Sequence, residues 1–317
     1  MTAGSDLLTL PEALATIASG AATRDAAPGV APFPQQPFAV LQSAGALSPR
    51  RSLAEQLELV RAVSRADGSV GRILDGHHNA LERLGATTFD GLLGVWGADP
   101  VPGEGEPARL DDGTLTGVKT FCSGAGGLDR ALVLIAGNLV HVDLSHGVTV
   151  DESWYRSAGL RSSASHRVVF QNARVLDILG PIGEQPWFAR DAVRTTATWA
   201  GLADAAYDAA VDLLRLRDEH PLTDLAAGRM RTAHWTIDLW MAEAARSETP
   251  TPAFAVHLRD AVSGACRTLL DEAMRAVGSR PLATADDFDR ARRDLDVFLL
   301  QHRLDPLVAR AGGAALR

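Results

Sequence analysis

The sequence lacks the features of a membrane or secreted protein. No apolar run approaches the roughly 20 residues that a membrane-spanning helix needs. The N-terminus has no basic region followed by an apolar block, as a signal peptide would. Only two cysteines occur, Cys122 in a predicted strand and Cys266 in a predicted helix, which favours reduced thiols over a disulfide. These absences predict a soluble, cytoplasmic protein.

Positive charge and metal-binding motifs are also scarce. The 31 Lys and Arg residues are outnumbered by 39 Asp and Glu, and the net charge of −8 argues against nucleic acid or an anionic membrane as a partner. Neither His-Glu-x-x-His nor a pair of Cys-x-x-Cys motifs occurs. The adjacent His77 and His78 point about 100° apart on a helix, so they do not form a metal pair. We therefore expect no bound metal.

Helical patterns occupy both ends of the 317-residue chain. Residues 1–86 are predicted to form helices with proline-rich joints, and Ser52 with Glu55 matches a capping box. Ser69 is predicted to cap the helix that follows. After residue 180 four amphipathic helices are predicted, at about 193–213, 223–245, 251–277 and 284–299, the last one starting at Thr284. Four such helices with short joints predict an up-down bundle.

The middle of the chain has the pattern of short strands. Asp111-Asp112-Gly113 is a strong hairpin signal, since glycine tolerates the positive φ of a tight turn. Strand-like runs at 114–122, 131–136, 139–144 and 167–175 predict an antiparallel sandwich or small barrel. The predicted fold class is α+β, with an N-terminal helical domain (1–86), a central β domain (87–180) and a C-terminal four-helix bundle (181–317).

This order of elements resembles the acyl-CoA dehydrogenase superfamily, including its flavin-dependent monooxygenase branch. The resemblance covers most of the chain from about Leu53 onward and depends on four stretches. They are Ala66–Gly71, Leu115–Ala125, Gly159–Ser165 with Val168–Phe170, and the pair Arg293-Asp294. By this resemblance the N-terminal domain is abbreviated, and the bundle assembles into a homodimer or homotetramer.

The resemblance also implies a flavin site, with FAD as the expected cofactor and FMN as the alternative. Phe121 would lie against the isoalloxazine ring, and the Ser123 hydroxyl would lie near its N5/O4 edge. Trp96, followed by Gly97-Ala98-Asp99, falls in the family's second flavin-contacting segment. Cys122 would neighbour the flavin or, by strand alternation, lie buried behind Phe121. From the residues alone, Phe121 and Trp96 could equally be core residues of a sheet.

The expected catalytic base is replaced. Related dehydrogenases carry a glutamate eight residues beyond the Arg-Asp pair, and here that position is His302. A histidine can transfer a proton at neutral pH, so His302 is the candidate acid/base, with a solvated surface histidine as the alternative. The family's Arg-x-x-Phe-Gly phosphate motif is also absent, where the sequence has Arg215 and Arg217 without Phe-Gly.

Three functions follow from these observations. The first is a flavoprotein oxidoreductase, acyl-CoA dehydrogenase-like, acting on CH–CH or related bonds of an acyl thioester or another bulky small molecule. The second is a flavin-dependent monooxygenase of the same fold. The third is a non-catalytic descendant that has lost the catalytic Glu and part of the flavin site. Ser123 lies in no Gly-x-Ser-x-Gly elbow, which disfavours a serine hydrolase.

Overall fold

The computed structural model describes residues 8–27, 29–48, 52–86, 89–300 and 304–316. These residues form two compact units. The first, called the β unit, comprises Met1–Pro49, Gly76–Arg156 and Ser162–Ile182. The second, called the bundle unit, comprises Arg50–Asp75, Ser157–Arg161 and Gly183–Arg317. The three predicted domains divide the chain differently and remain a prediction.

The first four helices begin at polar caps or prolines. They are α1 (Leu10–Asp25), α2 (Gln35–Ser43), α3 (Leu53–Ala66) and α4 (Gly68–Arg83). The predicted capping box is confirmed, because Ser52 accepts from the Glu55 N–H while the Glu55 carboxylate accepts from the Ser52 N–H. The prediction that Ser69 caps α4 is wrong. Asp67, one residue before the helix, accepts from the N–H groups of Ser69 and Val70 at 2.9 and 3.1 Å.

Four of the seven strands that the described residues form lie close to the predicted runs, although the last strand extends six residues past the predicted end at residue 175. The seven strands are β1 (Leu93–Trp96), β2 (Arg109–Asp111), β3 (Thr114–Cys122), β4 (Arg130–Ile135), β5 (Asn138–Asp143), β6 (Val148–Asp151) and β7 (His166–Pro181). The predicted hairpin joins β2 to β3. Its central residues, Asp112 and Gly113, have φ of 43° and 79°, the left-handed pair that a type I′ turn requires.

The long strand β7 connects the sheet. Its first part pairs with β3 on one side and β6 on the other, and its last part pairs with β5. The strand order is β1-β4-β5-β7-β3-β2, with β6 off this path. Among the strands of the described residues, β1 pairs with β4 in parallel and the other strand pairs are antiparallel, so the sheet is mixed. Alternating residues of these strands, among them Trp96, Leu115 and Phe170, form the core of the β unit.

The bundle unit is built around one central helix. Its long helices are α5 (Trp187–Arg215), α6 (Pro221–Ala244), α7 (Pro252–Val277) and α9 (Asp287–Leu300), with short α8 (Arg280–Thr284) and α10 (Asp305–Ala315). Helix α5 packs against α3, α7 and α9, and nearly all its side chains between residues 189 and 206 are buried. The predicted start of α7 at Thr251 is confirmed, because the Thr251 side chain caps the helix by accepting from the Phe254 N–H. Thr284, however, ends α8, and Asp286 caps α9 by accepting from the Asp289 N–H.

Across the described residues, no helix combines bilayer-spanning length with enough apolar character to cross a membrane.

Candidate flavin site

Phe121 presents its ring to solvent in a strained backbone conformation. Its φ is 52°, in the left-handed region, which costs a bulky residue about 1–3 kcal/mol. The β3–β7 register shifts between Lys119 and Cys122, and the side chain of Phe121 remains 46% exposed. The Trp154 ring packs edge-on against it at 4.9 Å, and Tyr155 lies at 6.5 Å. The rings of Trp154 and Tyr155 therefore pack against the Phe121 ring and leave part of its surface exposed to solvent.

A chain of three hydrogen-bonded hydroxyls begins two residues after Phe121, at Ser123. Ser123 Oγ is 2.8 Å from Ser165 Oγ, which is 2.8 Å from Ser163 Oγ. The backbone of the loop is tied to the same turn, since the Gly124 N–H donates to the Ser163 carbonyl. Ser123 is only 8% exposed. The loop after β3 and the turn before β7 therefore form one hydrogen-bonded unit.

Trp96 lies under the loop and not at its surface. The side chain is 1% exposed, and its Nε1–H donates to the Ser123 carbonyl at 3.0 Å. The predicted second segment is nevertheless close to β3, because the Thr120 N–H donates to the Ala98 carbonyl at 3.0 Å. The structure thus brings the two predicted flavin-contacting segments together, with Trp96 as a support for Ser123.

Cys122 lies in the buried core of the β unit. It has no exposed surface, and burial raises the pKa of its thiol well above the ordinary value, although Lys119 opposes this. The thiol therefore stays protonated at neutral pH and is a poor nucleophile. Strand alternation had indicated this burial as one of the two alternatives.

Two residues of this region were missed by the sequence analysis. Lys119 is 1% exposed and forms an ion pair with Asp99 at 2.6 Å, which fixes the 97–99 segment to β3. His166, directly after the serine-rich turn, is 2% exposed, and its Nδ1 has no hydrogen-bond partner in the described chain. Burial lowers the pKa of His166, against the charges of Glu152 and Asp151, so the ring is neutral at pH 7. The position of His166 directly after a turn with three serines is the sequence signal that could have identified it.

The remaining predicted positions contribute less to this site. His302 lies outside the described residues. Arg215 forms an exposed ion pair with Asp212 at 2.8 Å. Arg217 donates to the carbonyls of Ala276 and Val277, which satisfies the end of α7. Both arginines are therefore engaged by the surface of the bundle unit.

A separate polar cluster in the bundle unit has metal-type ligands. Atoms of Asp204, His234 and Asp238 lie within 4.8 Å of one another. Arg61 occupies both carboxylates, with Nε and Nη2 donating to Asp204 at 2.7 Å each and Nη2 lying 2.5 Å from Asp238. Burial opposes ionisation of Asp204, but the hydrogen bonds from Arg61 and His234 lower its pKa. The arginine supplies the positive charge that a metal would bring.

The fold is that of known flavoproteins. No protein-family model matches this sequence, and no curated protein matches it. FMN-bound TdsC from Paenibacillus sp. A11-2, a dibenzothiophene monooxygenase, is similar with a TM-score of 0.80 and 20% identity over 95% of this chain and 94% of that one. MsuC from Pseudomonas fluorescens, a methanesulfinate monooxygenase, is similar with a TM-score of 0.79 and 20% identity over 98% and 97%.

KijD3, solved with FMN and dTDP-3-amino-2,3,6-trideoxy-4-keto-3-methyl-D-glucose, is similar with a TM-score of 0.77 and 20% identity over 91% and 87%. These structures have the acyl-CoA dehydrogenase-like fold, with helical regions and a mixed sheet, and this chain has it too. The predicted fold is confirmed.

Proposed function

We propose that this protein is a flavin-dependent oxidoreductase that binds the isoalloxazine ring against Phe121. The observation that supports it most is an aromatic ring held open to solvent at a left-handed φ. Strain of this kind persists where the surrounding structure enforces it, and it is concentrated at functional sites. A flat aromatic ligand would cover the open part of the ring and gain stacking energy.

FMN is the flavin we propose, in place of the FAD that the sequence favoured. TdsC and KijD3 were both solved with FMN, and they share this fold over most of their length. The flavin supplies the redox chemistry. Trp96 and Lys119 would hold the protein segments that contact it, and neither would touch the ring.

Ser123 is the residue we assign to the flavin edge. Each hydroxyl has one proton to donate, and in the chain Ser163 can donate to Ser165, which can donate to Ser123. The Ser123 O–H is then left to donate to a flavin nitrogen or carbonyl. Donors arranged in series polarise one another, which strengthens the last hydrogen bond.

Monooxygenation of a small molecule is the reaction that the similar structures favour over oxidation of an acyl thioester. TdsC and MsuC are named as monooxygenases, with small substrates. The absence of the expected glutamate agrees with this choice, because oxygenation needs no base for a carbon acid. His302 remains the candidate acid/base, and an unchanged turnover in His302→Gln would remove it from the mechanism.

A homo-oligomer in the cytoplasm completes the proposal. Helix α6 exposes four large apolar side chains, those of Leu222, Leu225, Trp235 and Leu239. Exposed apolar side chains grouped on one helix are typical of an interaction surface. Cytoplasmic location is supported by the two buried cysteines, which form no disulfide. Sedimentation of the wild type and of Leu239→Glu tests the oligomer. A wild-type monomer contradicts it.

Flavin titration tests the function directly. Purified protein is titrated with FMN, FAD and riboflavin, and flavin fluorescence is followed. We expect FMN to bind and Phe121→Ala to weaken binding by about tenfold or more. The matched control is Trp235→Ala, which removes another half-exposed aromatic and should leave FMN binding unchanged. A wild type that binds none of the three flavins would overturn the proposal and favour the non-catalytic descendant.

A further inference from the structure

The bundle unit contains a largely buried group of charged residues that the flavin site does not use. It consists of Arg72 and Asp75 on α4, Asp191 and Arg194 on α5, and Arg259 on α7, and we call it the arginine cluster. Asp75, Arg194 and Arg259 are 1%, 0% and 8% exposed. Residues so polar are rarely buried this fully without a specific reason.

Part of the arginine cluster is internally paired. Arg72 Nη1 lies 3.0 Å from Asp75 Oδ2, and the Thr195 hydroxyl donates to the same oxygen at 3.2 Å. Arg194 Nε donates to the side-chain carbonyl of Gln56 at 2.7 Å. The guanidinium of Arg259 lies over the Trp199 ring at 5.2 Å. Asp75 is thus held by the Arg72 guanidinium and the Thr195 hydroxyl.

The charges of the arginine cluster do not balance. Three guanidinium groups carry a charge of +3, because arginine stays protonated in proteins. Two carboxylates supply −2 at most, which leaves an excess of positive charge. Burial raises the pKa of Asp75, although Arg72 and Arg194 oppose this. Burial and the charge of Asp75 raise the pKa of Asp191 to about 6, so the excess grows in mild acid.

Arg259 has an unused pair of donors. Its Nε and Nη2 atoms are buried and have no hydrogen-bond partner in the described part of the chain. These two atoms form one side of the guanidinium, the side-on fork that binds two oxygens at once. Arg61 shows the same fork in use, with Nε and Nη2 each 2.7 Å from an oxygen of Asp204. The Nε and Nη2 atoms of Arg259 therefore have the geometry that binds a carboxylate, but no carboxylate of the described residues accepts from them.

We propose that the arginine cluster binds a small oxyanion, such as a carboxylate or sulfinate, whose two oxygens accept from Nε and Nη2 of Arg259. The anion would neutralise the excess charge and satisfy both buried donors. The side chain of Arg72 is 17% exposed, so the arginine cluster reaches the surface of the chain. Anion binding by the arginine cluster does not depend on the proposed function. Only the further step, that the anion is the acidic group of the enzyme's substrate, rests on it.

Thermal unfolding of the flavin-free protein tests the site, with methanesulfinate as the probe. Dimethyl sulfoxide is the neutral control because it has nearly the same shape, and sodium chloride controls for ionic strength. We expect saturating methanesulfinate to raise the melting temperature by about 2–5 °C, and the two controls to have no such effect. Equal shifts with all three would overturn the inference.

Variants of Arg259 test whether the rise in melting temperature depends on this residue. Arg259→Met should abolish the shift, and without anion it should melt no lower than the wild type, because it removes two unpaired buried donors. Arg259→Lys keeps the charge but loses the fork, and should lose most of the shift. The matched control is Arg275→Met on the exposed side of α7, where the arginine pairs with Asp271 and Glu272. Its shift should equal that of the wild type.

A full shift in either Arg259 variant would contradict the site, and Arg259→Lys provides the result if Arg259→Met does not fold. FMN titration of the same samples is read separately. A protein that responds to methanesulfinate without binding FMN would retain the oxyanion site and lose the flavoenzyme. A protein that binds FMN but does not respond to methanesulfinate would retain the flavoenzyme proposal and overturn the oxyanion site.

Discussion

Asp294 and Leu160 are joined by a hydrogen bond of 2.5 Å from the Leu160 N–H to the Asp294 carboxylate. Both residues are buried, and Leu160 has a φ of 50°. The neighbouring Arg293 donates to the carbonyl of Ala158. Two of the stretches on which the family resemblance depends, Gly159–Ser165 and the pair Arg293-Asp294, are therefore in direct contact. The Arg-Asp pair of α9 holds the turn at 157–161 in an unfavourable conformation.

The first prediction concerns Gly159, which lies within this contact. A Cβ there would lie 2.0 Å from the Arg293 carbonyl oxygen, and backbone atoms move little to relieve such a clash. We expect Gly159→Ala to destabilise the protein by about 2–4 kcal/mol, measured by urea unfolding. Gly228→Ala on α6 is the control, since a Cβ meets nothing there and alanine favours a helix by about 1 kcal/mol. Equal stabilities for the two variants would contradict the contact.

The second prediction concerns Asp191 and pH. Its pKa of about 6 lies above the ordinary 3.8, so the folded state holds the proton more tightly than the unfolded state. Its favourable contribution is full below about pH 4 and is lost as the pH rises through 6. Asp191→Asn should therefore raise the free energy of unfolding more at pH 8 than at pH 4, by up to about 3 kcal/mol. Asp260→Asn, on the surface of α7, should show no such difference.

The third prediction concerns His77, which is neutral and structural. Its Nε2–H donates to the Leu47 carbonyl at 2.9 Å, and its Nδ1 accepts from the Leu93 N–H at 3.1 Å. Burial lowers its pKa to about 4, although the hydrogen bond to Leu47 opposes this. The unfolded state then binds the proton more tightly, so stability present above pH 6.5 is lost as the pH falls towards 4.

This loss amounts to about 3 kcal/mol at most. His77→Gln does not titrate, so its free energy of unfolding should fall less steeply between pH 6.5 and 4 than that of the wild type. His257→Gln, on the exposed side of α7, is the control and should keep the wild-type slope. A wild-type slope in His77→Gln would show that this ring does not titrate on unfolding.

The fourth prediction separates backbone strain from ligand contact at Phe121. Phe121→Ala and Phe121→Gly both remove the ring, but only glycine adopts a φ of 52° without cost. We expect the glycine variant to be more stable than the alanine variant by about 1 kcal/mol in urea unfolding, and both to bind FMN equally poorly. At Phe170, a buried strand residue of β7, the same pair should show the opposite order.

Local patterns in the sequence predicted much of the fold. The Asp112-Gly113 turn, the Ser52 capping box and the Thr251 start of α7 each depend on a few neighbouring residues, and each is confirmed. The errors arose where two polar residues competed for one helix start, as with Asp67 against Ser69. Propensity does not decide such cases, because the cap depends on which oxygen reaches the free N–H groups.

The candidate site was only partly predictable. Phe121 and Ser123 could be named because they lie in a stretch that resembles a family, but alternation alone did not reveal that Phe121 is left-handed. Lys119 gave no signal, since a lysine in a strand is usually exposed and its partner Asp99 is 20 residues earlier. The arginine cluster combines residues of three helices that are far apart in sequence. The periodicity within one helix does not predict which residues of another helix will contact it.

The shared strand β7 has a consequence for how the chain folds during synthesis. The β2–β3 and β4–β5 hairpins have local contacts and can form as soon as they leave the ribosome. Strand β7 links the two hairpins in the sheet, because it pairs with both β3 and β5, and it also pairs with β6. Until residue 181 has emerged, β3 and β5 keep an unpaired edge, and nascent chains are most exposed to aggregation over that interval.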